Sequence, residues 1–419
     1  MELYNTLTRS IEPFALQDHS ISLYVCGITP YDTTHLGHAF TYASADILVR
    51  YLEFRGLKVR YAQNVTDIDD DILRKAREVG EDWISLGNRW TVHYIRDMQD
   101  LNIRPPDYYT RATDMIPQII DSVVALLDVG LAYHSGGSVY YDIGAWPEYG
   151  KLSLLPPEKM LPISTQRGNN PDDPHKRAPL DFVLWQAQAP GEPAWESPWG
   201  PGRPGWHIEC STIVTQQLGS TIDVHMGGDD LVFPHHESEI AQVEPVNQGN
   251  PYVRTWMHTA MVHHQGEKMS KSLGNLVMVR DLLAHFSPGG LRLYLAGYHY
   301  RQVWSYDEEA LWRAEQLAHK LQVAVQAASG SGDPLDPSAE REVWVDAMEH
   351  DLDTPTSLLF LENLADAILT ASRLNRNVAE AQNTLRELAQ VYGVRLEGDP
   401  VEPGVIAGWD AHLRQFEQS

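Results

Sequence analysis

The segment from Ser20 to Val65 restricts the fold more than any other part of the chain. Residues 20–27 form an apolar run of the kind that makes a buried strand. Over 37–54 the apolar residues Ala43, Ile47, Leu48, Tyr51 and Leu52 recur at helical spacing. After Gly56, residues 58–65 alternate as a strand does. Strand, helix and strand in this order form a βαβ unit, which takes a right-handed crossover and a parallel sheet. A nucleotide then belongs at the carboxyl end of the first strand, between Cys26 and His38.

The chain has 419 residues, more than one core usually organises, so two or three domains are expected. No basic stretch followed by an apolar core opens it, and no run approaches bilayer length. A cytoplasmic protein without membrane contact, monomeric or a small homo-oligomer, is therefore expected. Two cysteines in so long a chain argue against a disulfide scaffold. The net charge of −25 argues against a partner held mainly through phosphates, although a local basic groove is compatible with it.

Helical spacing predicts helices near 71–80, 83–100 and 113–130, and again near 307–326, 339–350, 354–373 and 379–392. The Pro- and Gly-rich stretch 145–205 reads as irregular loops. The expected division is an α/β parallel-sheet catalytic domain over 1–300, with an insertion at about 110–205 and a mobile loop at 266–275. An all-α helical bundle at 301–419 follows.

Both cysteines lie among reactive residue types. Cys26 stands in Tyr24-Val25-Cys26-Gly27-Ile28-Thr29-Pro30, and Cys210 closes Gly205-Trp206-His207-Ile208-Glu209-Cys210. With His235 and Glu239 they offer the ligand types that zinc takes. The alternative is a pair of buried, inert thiols. His35-Leu36-Gly37-His38 falls where the first strand turns into its helix, placing two imidazoles beside helix N–H groups that attract phosphate. Lys268-Met269-Ser270-Lys271-Ser272 supplies two cations on a loop that can close on a pyrophosphate.

These motifs, in this order, resemble the class I aminoacyl-tRNA synthetases, and among them the cysteine-activating branch. The resemblance rests on YVCG before HLGH, then GRPGWHIEC at 202–210, FPHHE at 233–237 and KMSKS at 268–272, and it covers at least 1–300. It implies a Rossmann-like catalytic domain that joins L-cysteine to AMP from ATP and Mg2+. It further implies one zinc ion per chain on Cys26, Cys210 and His235, with Glu239 as a fourth ligand. Zinc suits that substrate, because an apolar pocket separates cysteine from serine by only about 1–3 kcal/mol, whereas a metal prefers the thiolate.

By the same resemblance His35, His38, Lys268 and Lys271 are catalytic. Cys26, Gly27, Ile28, Thr29, Thr41, Asn64, Val65, Thr66 and Trp206 line the cysteinyl-adenylate. Gly228, Asp229 and Asp230 meet the ribose, and the main chain of Val262 meets the adenine. Thr66, Asp67, Asp69 and Asp70 have a second reading as helix caps near Ile72.

Two families share such a site and differ in the acceptor: cysteinyl-tRNA synthetases, and the mycothiol ligases that pass cysteine to the amine of glucosaminyl-inositol. The segment from Asp307 carries 8 Lys or Arg against 21 Asp or Glu, a poor surface for an anticodon stem. Gly27-Ile28-Thr29-Pro30, the 166–172 element, 295–301 and Asp351-Leu352-Asp353-Thr354-Pro355 also resemble the ligases. Glucosaminyl-inositol is accordingly the expected acceptor, with tRNA(Cys) as the alternative and a non-catalytic cysteine- or zinc-binding paralogue, against which the intact HLGH and KMSKS motifs speak, as a remote one.

Overall fold

The computed structural model describes residues 1–14, 20–31, 34–269 and 273–417. Its centre is a parallel sheet of β1 (Ser20–Ile28), β2 (Lys58–Val65), β3 (Tyr108–Arg111), β4 (Ile222–Gly228) and β5 (Val253–Thr259). The spatial order is β5-β4-β1-β2-β3, with every neighbouring pair parallel. β1 is central, and its Leu23, Tyr24 and Val25 are inaccessible to solvent. That matches the continuous apolar run of a strand covered on both faces.

Helix α1 (Leu36–Phe54) joins β1 to β2, as the predicted βαβ unit requires. The chain leaves β1 toward β2, whereas the strand on its other side, β4, arrives from far along the sequence. This reversal opens a crevice at the carboxyl ends of β1 and β4. Leu36 N donates to Val277 O and Val279 N donates to Thr34 O, which fixes the start of α1 against the segment that follows the 268–272 motif.

The stretch between β3 and β4 is more ordered than its composition suggests. It contains helices Ile116–Asp128 and Pro157–Gln166. An antiparallel sheet of Ala132–Ser135, Ser138–Tyr141, Phe182–Ala187 and Gly202–Pro204 completes it, paired in chain order. Pro and Gly there mark the turns between strands rather than a continuous irregular path.

Helix α2 (Trp206–Gln217) leads into β4, and α3 (Glu237–Val243) precedes β5. After α4 (Pro288–Ala296) come Glu308–Gln326, Ser338–Glu349, Thr354–Arg373 and Ala379–Val391, close to the predicted spans. A further helix, Pro403–Glu417, was not anticipated. It buries Val405, Trp409 and Phe416, and Trp409 Nε1 donates to Ile103 O at 2.7 Å, so the terminal helix packs on the first third of the chain. One apolar core runs from Leu3 to Phe416. No helix among the described residues is long and apolar enough to cross a membrane.

Candidate active site

The crevice gathers the metal-type residues from three elements. Cys26 comes from β1 and Cys210 from α2. His235 precedes α3, and Glu239 lies within it. Their ligating atoms all lie within 4.8 Å of one another, and all four residues are buried. His235 Nε2 is 3.2 Å from Glu239 Oε1, and Cys26 Sγ is 3.9 Å from the same oxygen. Two thiols, an imidazole and a carboxylate at such separations can hold a divalent ion.

Further polar groups surround the cluster. His235 Nδ1 lies 2.9 Å from His207 Nδ1, and Glu239 Oε2 accepts from Tyr252 Oη at 3.0 Å and sits 3.1 Å from His225 Nε2. His236 bridges Cys26 Sγ at 3.2 Å and His258 Nε2 at 2.7 Å. Burial holds these imidazoles neutral: His207, His225 and His258 fall to about 3, and His235 and His236 lie well below the usual range. Burial, with the neighbouring Cys210 and Glu239 adding to it, pushes the Cys26 thiol up. A bound cation reverses that preference, because it stabilises the thiolate directly.

Beside the cluster, Asn64 Oδ1 accepts from Gly27 N at 2.7 Å and from Tyr24 Oη at 2.9 Å, while its Nδ2 donates to Thr66 Oγ1 at 3.0 Å. Thr66 N donates to Ile28 O, tying the ends of β1 and β2 together. Thr29 is half-buried just past β1, and Val65 is buried at the end of β2. Thr41 Oγ1 lies 2.6 Å from Thr259 Oγ1, so α1 touches the end of β5. Trp206 stacks on His235 with ring centroids 4.2 Å apart, forming a wall of the cluster.

His35 caps α1 with its own ring: Nδ1 accepts from Gly37 N at 3.1 Å and His38 N at 3.3 Å. Those two N–H groups are therefore engaged, and the His35 proton resides on Nε2. The His35 and His38 rings stack at 3.7 Å. Asp229 and Asp230 follow Gly228 at the end of β4. Burial raises the Asp229 carboxyl, and the charge of Asp230 adds to this. Asp230 is partly exposed, and Lys268 and Arg167 hold its carboxyl below the usual range against the desolvation that would raise it, each 3.2 Å from Oδ2. Val262 O accepts from Met269 N at 3.1 Å, which attaches the loop to the strand beside the crevice. Lys271 lies outside the described residues.

The aspartates divide between roles. Asp69 accepts from Ile72 N at 2.8 Å as the cap of helix Asp70–Val79, while Asp67 binds Thr113 through both its N and its hydroxyl. Sequence reading left His207, His225 and His236 without roles and did not single out Tyr24, Tyr252, His258 or Thr259. The only signal for His258 was alternation in β5 with Trp256, which placed both on one face.

Residues 13–316 match the family model described as tRNA synthetases class I (C) catalytic domain. A cysteine–tRNA ligase of Thermosynechococcus vestitus is 44% identical over 419 residues, covering 94% of this chain and 85% of that protein. The cysteine–tRNA ligase of Cronobacter sakazakii is 42% identical, covering 96% and 86%. Methionyl-tRNA synthetase of Mycobacterium tuberculosis, solved with methionyl-adenylate, shares the fold with a TM-score of 0.64 at 16% identity, over 95% and 93% of the two chains.

These relatives overturn the expectation of glucosaminyl-inositol as acceptor. They are named for tRNA, and their similarity runs through most of the chain, including much of the acidic last third on which that expectation rested. Net charge sums over a whole surface and says little about one face, so −25 was a weak guide to the acceptor. The chain belongs to the class I tRNA synthetases of the cysteine type and is an ATP-dependent ligase.

Proposed function

We propose that this protein activates L-cysteine as cysteinyl-AMP and transfers it to tRNA(Cys). The observation that carries this reading is the convergence of Cys26, Cys210, His235 and Glu239 within 4.8 Å, in the crevice that also receives His35 and Lys268. The donor set fits zinc, which when bound supplies a soft Lewis acid that prefers a substrate thiolate to a hydroxyl. Cys26, Cys210, His235 and Glu239 hold it, and His207 fixes the His235 ring through its second nitrogen.

The chain's own residues do the rest. Asn64 anchors the Gly27 backbone by accepting its N–H and donates to the Thr66 oxygen, leaving the Thr66 hydroxyl proton for the aminoacyl group, and Trp206 closes the pocket against water. Asp229 and Asp230 bind the ribose hydroxyls, and the Val262 main chain contacts adenine. His35 and His38, with Lys268 and Lys271 from the loop, stabilise charge on the leaving pyrophosphate as the cysteine carboxylate attacks the α-phosphorus. Lys268 rests on Asp230 and exchanges that partner for phosphate when ATP and Mg2+ enter. The terminal ribose hydroxyl of tRNA(Cys) then attacks the adenylate carbonyl and AMP leaves. Positioning and charge stabilisation account for the acceleration, without a covalent enzyme intermediate.

The test measures cysteine-dependent ATP–pyrophosphate exchange, then transfer of labelled cysteine to tRNA(Cys). Exchange with cysteine but not serine, followed by acid-precipitable label on tRNA(Cys), is expected. Exchange that proceeds normally while tRNA(Cys) stays uncharged refutes the acceptor.

A further inference from the structure

The described residues contain a second set of ligating side chains. Atoms of Cys26, His225, His236 and Glu239 also lie within 4.8 Å of one another, and all four residues are buried. Cys26 Sγ is 3.2 Å from His236 Nε2, His225 Nε2 is 3.1 Å from Glu239 Oε2, and His236 Nε2 is 4.0 Å from Glu239 Oε1. Donors about 2.0–2.3 Å from a tetrahedral ion stand about 3.3–3.8 Å from each other. The observed separations straddle that range, so small side-chain rotations close the set on an ion.

The surroundings of His236 are those of a ligating imidazole. Its Nδ1 lies 2.7 Å from His258 Nε2, and His258 Nδ1 lies 2.8 Å from Thr6 Oγ1. Such a chain fixes the ring and leaves Nε2, the atom facing Cys26, to bind the metal. His225 stacks on the fully buried Trp256 at 4.6 Å, which holds the second imidazole on the inner side. Nothing in cysteine activation as described above uses these two rings.

We infer that Cys26, His225, His236 and Glu239 form an alternative inner position for a zinc-type divalent ion, which the ion takes when the outer set loses its second thiolate. The inference shares Cys26 and Glu239 with the proposed zinc site and rests on that reading to this extent. Because both sets need those two residues, one ion takes one position at a time. The outer position, by Cys210 and His235, lies under Trp206. The inner one lies deeper, against Trp256.

Charge and softness pull in opposite directions. Two thiolates and a carboxylate leave the outer complex with one net negative charge, whereas one thiolate and one carboxylate make the inner complex neutral. A buried net charge is costly, so neutrality favours the inner set. Thiolate affinity for zinc favours the outer one. Loss of Cys210 removes the second thiolate and moves the ion inward.

The test uses the full chain with Co2+ as a spectroscopic probe. In wild type, one equivalent of Co2+ with a two-thiolate charge-transfer band is expected. Cys210→Ser should still bind one equivalent, with about half that band intensity because one thiolate remains. Cys210→Ser/His236→Gln should bind at least about tenfold more weakly than Cys210→Ser. If Cys210→Ser binds no tighter than the double variant, the inner position is refuted while the outer site stands. If wild type shows no thiolate–cobalt band, the zinc reading fails first and the inner position with it. Circular dichroism checks each fold, Cys210→Ala replaces the serine variant if that does not fold, and His236→Gln in the wild-type background should keep the two-thiolate band.

Discussion

Gly27→Ala should disable cysteine activation through a single methyl group. A Cβ built at Gly27 falls 1.6 Å from Asn64 O and 3.0 Å from Asn64 Oδ1. Ordinary contact begins near 3.4 Å, so β1 and β2 must part locally by about 1.8 Å, and the obstacle is backbone that cannot rotate away. The same displacement breaks the 2.7 Å bond from Gly27 N to Asn64 Oδ1, worth about 1 kcal/mol. Overpacking adds about 1–3 kcal/mol. The functional loss should exceed the loss of stability, because Cys26 and Asn64 are displaced together and a misplacement of about 1 Å can cost on the order of 100-fold in rate. Cysteine-dependent ATP–pyrophosphate exchange measures it, with thermal unfolding in parallel. A variant whose kcat/KM stays within about threefold of wild type would show that the crevice adapts and that close approach of the two strands is not required.

Two further outcomes follow from carboxylates at Asp46 and Asp69. Asp46 on α1 accepts from Arg292 at 2.5 Å, Arg50 at 2.9 Å and Arg104 N at 2.8 Å, and Arg292 is fully buried. Asp46→Asn strands a buried guanidinium and should cost about 3–5 kcal/mol in urea unfolding, with Asp46→Leu/Arg292→Met recovering part of it; a loss under about 1 kcal/mol would contradict the network's role. Burial raises Asp69 to about 7, above its ordinary 3.8, so its stabilising contribution is complete below about 3.8 and disappears as pH rises through about 7. Asp69→Asn keeps a side-chain cap and removes that titration, so the variant should lose less stability than wild type between pH 5 and 8, by about 2–4 kcal/mol; identical pH slopes would refute the assignment.

The sequence by itself determined the frame of this protein. The apolar run at 20–27, the helical spacing over 37–54 and the alternation over 58–65 become β1, α1 and β2, because a buried parallel strand and an amphipathic helix each leave a local periodic record. The order of YVCG, HLGH, GWHIEC and KMSKS likewise pointed to the family, since those residues carry chemistry that few alternatives can replace. The helix Pro403–Glu417 was missed even though its apolar spacing is local, because a short terminal segment gives little to weigh until its partner surface is known.

Only the tertiary structure decided what the buried polar residues do. Asn64 lies 37 positions from Gly27, His236 lies 210 from Cys26, and Arg292 lies 246 from Asp46, so no local pattern records these pairs. The histidines at 207, 225, 236 and 258 look alike in sequence because each follows its own element's period. Packing brings them around Cys26 and Glu239, and burial then fixes them as neutral rings in a chain of hydrogen bonds. The acceptor was the least legible part. Recognition of a large partner depends on which face carries charge, and composition reports only the sum over all faces.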